Sequence, residues 1–365
     1  MSERRSMPDR ILLVTTLLLL IIGLIMVYSA SVVSASNKFG DSLYFLKRQA
    51  LFAAVGVALM LAVMKVDYHK WRNYARLGIA ICFLLLLLVL IPGVGLARGG
   101  ARSWLGIGAF SIQPSEFMKF ALIIYLAKHL TEHQNQLYRL TKGLMASLVP
   151  VLAAFALIML QPDLGTGMVL VLTCLTMLYV AGARVKHFAM MALVGLTGLA
   201  ALIISAPYRV KRLTSFIDPW QDPNGSGFQI IQSLLAIGPG GLFGFGLGQS
   251  RQKYQFLPEA QNDFIFSIIS EELGLIGASL VLLLFCVLLW RGILIAIKAP
   301  DLFGSLLAIG ITAMIAIQVM INIAVVTGLI PVTGITLPFL SYGGSSLTLI
   351  LVSVGILLNI SKWTD

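Results

Sequence analysis

The chain has 365 residues, 58% of them apolar and 11% charged, where an ordinary soluble domain is roughly a quarter charged. With a mean hydropathy of +0.94, that much apolar surface cannot be hidden in a soluble domain of this size. Soluble, disordered, collagen-like and disulfide-scaffold classes are excluded, and the solvent is a lipid bilayer. The net charge of +11 is then the Lys and Arg excess that orients membrane helices, and no nucleic-acid partner is expected.

A spanning helix needs about 20 apolar residues. Ten segments qualify, in chain order 11–34, 46–64, 74–94, 114–130, 143–161, 165–182, 187–205, 264–290, 303–328 and 342–361. The expected fold is all-α: one polytopic membrane unit over 1–365, with a large extracytoplasmic loop at 206–262 between the seventh and eighth helices. The first run follows Arg4, Arg5 and Arg10 and is too long for a cleavable signal, so it reads as a retained anchor. With the N-terminus cytoplasmic, fifteen Lys and Arg lie inside and six lie in the short outer segments (Lys38, Lys47, Arg48, Arg98, Arg102 and Lys119). The other five lie in the long loop, where charge counts little. An even number of spans returns the C-terminus to the cytoplasm. Cys82, Cys174 and Cys286 sit in apolar runs, so neither disulfides nor a cysteine zinc site is expected.

This orientation gathers nine of the 15 acids at the outer face and all four histidines (His69, His129, His133 and His187) at the inner one. Intramembrane ionisable groups are costly and usually mark a site. The chemistry therefore faces outward and works without histidine. Within 98–119, Pro114 suits a first helical turn, which makes Glu116 and Lys119 i,i+3 neighbours. They are a self-neutralising pair or, with Gln113 and Ser115, part of a site; Arg102 beside Trp104 is an interfacial anchor or a substrate contact. In Gln161-Pro162-Asp163-Leu164-Gly165-Thr166-Gly167, Asp163 caps a helix or reaches Lys119 as the polar wall of a cavity.

In 249–274, Asn262 is expected to cap a helix with residues 263, 267, 270, 271 and 274 on one face. That spacing puts Glu271 about 12 Å below Asp263. Hydrogen bonding to a neighbouring helix is the structural alternative for Glu271 and Glu272. At Asp263 the helix N-terminus favours the anion and partial burial the neutral form, so the group is poised to accept a proton. In 330–346, two prolines and three glycines break helicity at membrane depth, which is tolerated only where backbone is buried in protein or lines a wet cavity. Ser341 and Ser345 are candidates there, with close helix packing through small residues as the alternative. The glycine run 238–248 lacks the strand and lysine of a nucleotide loop and reads as flexible or re-entrant.

The stretch from Asn322 to Ser346, NIAVVTGLIPVTGITLPFLSYGGSS, resembles the signature of the SEDS family (shape, elongation, division and sporulation), and QPSE, QPDLGTG and LPEAQNDF match in order. The resemblance covers essentially the whole chain. It is strongest to the FtsW/SpoVE branch and leans toward sporulation, although Asn262 departs from the Thr of many relatives. It implies a multi-pass protein of the bacterial cytoplasmic membrane, a peptidoglycan glycosyltransferase that polymerises lipid II. The substrates implied are lipid II and undecaprenyl-pyrophosphate-linked glycan, with Asp263 at the catalytic position. A divalent cation (Mg or Mn), no organic cofactor and a class B penicillin-binding protein as partner are also implied.

The residues accommodate that chemistry. Displacing a pyrophosphate needs a base, Asp263, and charge neutralisation, for which Arg48, Arg102, Lys119, Arg212, Arg251 and Lys253 are candidates. Gln113, Ser115, Glu116, Asp163, Glu259, Ser341 and Ser345 complete the expected substrate contacts. A lipid II flippase, which broken helices also suit, and a non-catalytic scaffold are the competing readings. Against the flippase, no inverted repeat with matching inner breaks is seen.

Overall fold

The computed structural model describes residues 7–98, 101–107, 110–137, 140–207, 210, 214, 216–225, 227–254 and 256–364. Helices α1 (Arg10–Phe39), α2 (Tyr44–Val63) and α3 (His69–Leu90) come first. Strands β1 (Leu96–Arg98), β2 (Ala101–Ile107) and β3 (Phe110–Ile112) form a small antiparallel sheet in that order. Then follow α4 (Pro114–Glu132), α5 (Ala146–Met159), α6 (Leu164–Val180) and α7 (Val185–Ile204). A short α8 (Phe228–Ile237) precedes α9 (Ile265–Lys298), α10 (Leu302–Val326) and α11 (Gly344–Ile360).

Helix is found in each of the ten apolar segments. Among the described residues six helices (α1, α2, α3, α9, α10 and α11) are long and apolar enough to cross a membrane. The sheet corrects the all-α expectation. Arg98 pairs with Ala101 and Leu96 with Trp104, in the stretch between α3 and α4. The 206–262 loop is not plain loop either: α8 lies within it, packed on α9 and α10. Ser233 Oγ lies 2.7 Å from Ser267 Oγ and donates to the Val326 carbonyl at 2.6 Å.

α10 and α11 form the centre. α11 packs on α2; α10 packs on α9, α6 and α4; α1 lies against α9 and α2. α7 runs at the margin, with Leu193, Leu196 and Ile204 exposed. One end of the bundle is tied by polar contacts. Arg291 pairs with Asp9, Tyr68 donates to Asp301, and Arg72 pairs with Glu132. Asn359 there bonds the main chain of both Met64 and Tyr68 at 2.9 Å, and Asp9 N donates to Ser361 Oγ at 3.0 Å. The starts of α4, α6, α9 and α11 and the end of α10 lie at the opposite end.

α9 is interrupted. Gly274 has φ 65° and ψ −165°, a conformation that only glycine adopts readily. The backbone groups released there are met by the glycine run of 238–248. Leu275 N donates to the Gly241 carbonyl at 2.8 Å and Ile276 N to Leu242 at 3.2 Å; Phe245 N and Gly246 N donate to Glu271 and Glu272 at 3.0 Å. The run is therefore a docked hairpin. Its glycines are demanded by close approach, since a Cβ on Gly274 would lie 2.4 Å from Gly244 N and one on Gly244 2.2 Å from the Glu272 carbonyl.

The two acids beside the break anchor the next loop. Glu271 accepts from Arg251 N at 2.8 Å, from Gln252 N at 3.4 Å and from Ser250 Oγ. Glu272 accepts from Gly248 N at 3.0 Å and Ser250 N at 3.1 Å, lies 2.7 Å from Ser29 Oγ of α1, and pairs with Lys253 at 3.4 Å. Both acids are fully buried and serve structure by hydrogen bonding.

Gly274→Ala is expected to cost about 2 kcal/mol or more, from the left-handed backbone and the clash together. The thermal midpoint in detergent should fall by several degrees, while Gly78→Ala inside α3, where an added Cβ meets nothing within 4 Å, does not lower it, since alanine is the better helix former. Glu272→Ala strands the buried Lys253 ammonium and should cost about 3–5 kcal/mol, read as loss of folded protein on size-exclusion chromatography.

Candidate active site

Asp263 lies in a turn two residues ahead of α9 and is half-buried. The expected cap does not form: Asn262 instead donates to Glu259 Oε2 at 2.7 Å. Phe264 holds the cap position without a side-chain bond, and the helix begins at Ile265. The expected polar face over 263–274 is corrected with it, because Asp263 stands off the helix and Gly274 breaks it.

The end of α10 and the loop that follows it hold the main chain around Asp263. Asn322 Nδ2 donates to the carbonyls of Asp263 and Ile335, each at 2.7 Å, and Tyr342 N donates to Gln261 at 2.8 Å. Gln49 of α2 braces the same loop, donating to the Ser341 carbonyl at 3.0 Å and accepting from Gly343 N at 3.2 Å. Glu259 (φ 52°) and Phe339 (φ 64°) both adopt left-handed backbone, at about 1–2 kcal/mol each for an L residue. Asn322 and Gln49 were missed as site residues. The signal at Asn322 was a carboxamide inside an apolar run, whereas Gln49 stands beside Lys47 and Arg48 and gave none.

A second cluster forms where α4 and α6 begin. Gln113 Nε2 donates to Asp163 Oδ2 at 2.9 Å, and Asp163 Oδ1 accepts from Thr166 N at 3.1 Å. Asp163 is thus both a cap and a partner across helices. Lys119 pairs with Glu116 at 2.8 Å, both buried, rather than bonding Asp163 directly. Burial pushes the Asp163 carboxyl up; the Thr166 hydrogen bonds oppose this, the Glu116 charge adds to it, and the Lys119 charge pulls it down. Ser115 is buried in the same turn, its Oγ without a protein partner among the described residues. This cluster adjoins the loop that braces Asp263, since a Cβ on Gly165 would lie 2.7 Å from the Thr333 carbonyl.

The expected cations separate by burial. Arg48 stacks over the Tyr44 ring at 4.5 Å, and the exposed Arg251 over Phe245 at 4.6 Å; Arg102 is exposed on β2. Lys119 and Lys253 are buried in ion pairs with Glu116 and Glu272. Arg212 lies outside the described residues. Ser341 is buried, its Oγ accepting from Leu337 N at 2.7 Å, and Ser345 is buried in the first turn of α11. Among the described residues no group of three or more His, Cys, Asp or Glu is placed to hold a metal.

Comparison with known proteins places this arrangement. The cell cycle protein model for FtsW, RodA and SpoVE matches residues 9–365. Stage V sporulation protein E of Bacillus subtilis (strain 168) is 64% identical over 364 residues, covering 100% of both chains. A probable peptidoglycan glycosyltransferase FtsW of Geobacter sp. (strain M18) is 45% identical over 353 residues, 97% of this chain and 96% of that one. A solved chain from work on the structural coordination of polymerization and crosslinking by a peptidoglycan synthase complex superposes with a TM-score of 0.79 at 31% identity, covering 98% of this chain and 99% of that one. The rod shape determining protein RodA of Thermus thermophilus superposes with a TM-score of 0.72 at 28% identity, covering 97% and 96%. The chain, a multi-pass membrane protein, belongs to the FtsW/RodA/SpoVE family.

Proposed function

We propose that the protein is a peptidoglycan glycosyltransferase that joins lipid II into β-1,4-linked glycan strands outside the cytoplasmic membrane, in spore-wall or division synthesis. The observation that carries this reading is the placement of Asp263, a half-buried acid in the turn ahead of α9 whose main chain is held by Asn322 and whose neighbour Gln261 is held by Tyr342 of the last loop. Its carboxylate takes the proton of the acceptor's GlcNAc 4-hydroxyl as that oxygen attacks the anomeric carbon of the donor. The C–O bond to the α-linked pyrophosphate breaks, undecaprenyl pyrophosphate leaves, and the new bond is β.

A pyrophosphate leaving group needs its charge neutralised more than it needs a proton donor. Arg48, Arg102 and Arg251 reach the surface at this end and offer bidentate forks to it, whereas Lys119 and Lys253 act from within as fixed charges of the walls. A divalent cation would add to that neutralisation; among the described residues no acid cluster is placed to hold it, so the substrate's own phosphates would carry it and Asp263 is kept for the proton. This matches Mg, which seldom uses an all-protein cage.

The remaining finer statements belong to the same reading. Ten helices cross the bilayer, both termini are cytoplasmic, the 206–262 segment is extracytoplasmic, and a class B penicillin-binding protein supplies the crosslinking partner. The tied end, where Asp9 and Ser361 meet, carries the orienting cations and supports the inward placement of both termini. The polar cluster of α4 and α6, the break in α9 and Asp263 lie toward one end, whereas a flippase needs a path open to both faces.

Purified protein, lipid II and divalent cation, with and without a class B penicillin-binding protein, should yield glycan polymer on gels. Asp263→Asn should lose about 100-fold or more in rate, the usual contribution of a general base, with its thermal midpoint unchanged. Full polymerisation by Asp263→Asn would remove Asp263 from this role. No polymer from the wild type with its partner, together with lipid II translocation in liposomes, would favour the flippase.

A further inference from the structure

Asn322 lies in the last turns of α10, fully buried, and one nitrogen of its carboxamide serves two carbonyls, Asp263 and Ile335, each at 2.7 Å. In a helix that ran through Asp263, that residue's carbonyl would accept the amide four positions on, Ser267. The Ser267 amide goes to Phe264 instead, at 3.0 Å, and the Asp263 carbonyl is occupied by Asn322. Helix α9 therefore starts at Ile265, against the capping tendency of Asn262. The second carbonyl, Ile335, belongs to the loop between α10 and α11. One amide thus couples the catalytic turn to that loop.

From this geometry we infer that Asn322 is a positioning residue for the transferase reaction. By taking the Asp263 carbonyl it holds the first turn of α9 open and stands the Asp263 carboxylate at the lip of the site instead of on the flank of a helix. The kinetic part rests on the polymerase reading; the positional part does not. An apolar side chain of the same shape would release both carbonyls. It would let the helix extend through Asp263 and move the base by more than the ångström or so that costs about 100-fold in rate. Lipid II binding through the surface arginines and the α4–α6 cluster would be little changed.

The test compares purified Asn322→Leu with Thr312→Val, a buried site on the same helix whose hydroxyl bonds the Ala308 carbonyl at 2.8 Å. Asn322→Leu is expected to lower kcat about 100-fold with KM for lipid II within about threefold. It should also change amide exchange in 259–267 and speed it about tenfold in 330–343, leaving α11 protected as before. Thr312→Val should change none of these. An unchanged kcat per folded molecule, or a loss of rate that merely follows the thermal midpoint, overturns the inference. If the wild type itself makes no polymer, the proposed function fails, and the exchange measurement decides the positional part alone: identical exchange in Asn322→Leu and wild type overturns it.

Discussion

A peptide group left unpaired in hydrocarbon costs several kcal/mol, and the break at Gly274 releases several at one point of a membrane-embedded helix. The arrangement of that end of the bundle follows from how those groups are satisfied. The hairpin of 240–246 supplies the missing partners, main chain to main chain. Only glycines let the two backbones approach that closely. Because the hairpin must dock there, the chain returns to the bundle before α9 starts, and residues 248–253 fall within reach of Glu271 and Glu272. Two acids that look like intramembrane catalysts are instead fully saturated by amides, hydroxyls and a lysine.

That saturation separates the acids of the site. Glu116 is neutralised by Lys119, Asp163 is divided between a helix start and Gln113, and Glu259 is joined to Asn262. Asp263 is held through its main chain by Asn322 of the neighbouring helix, which fixes the place of a half-buried acid. The same division applies to cations: lysines are buried as wall charges, while arginines stack on aromatic rings near the surface, where a planar group keeps its hydrogen-bonding edge.

Much of this was legible in the residues. The helical segments follow from apolar length alone. The pairing of Glu116 with Lys119 follows from helical spacing after Pro114, and the capping by Asp163 from its place ahead of Leu164. What failed were choices decided by distant partners. Asn262 is a good cap by local rules, yet the start of α9 is set by Asn322, 59 positions away. The glycine run showed no partner because its partner is a bend in a helix some thirty residues further on. Local propensity yields wherever a buried carbonyl finds a stronger claimant elsewhere, and that occurs at the site, where loops from distant parts of the chain meet.

The first helix meets its partners late. Its N-terminal cap residue bonds Ser361 and Arg291, separated by 352 and 282 positions, its Ser29 reaches Glu272, and Gly23 gives room to the Phe339 carbonyl. At about 5–20 residues per second of synthesis, α1 spends tens of seconds in the membrane before α9 and the last loop emerge. The bundle therefore closes like a ring whose first stave is finished last, and a ribosome that stalls before α9 leaves α1 with α2 as its packed neighbour while its bonds to Glu272, Arg291 and Ser361 wait.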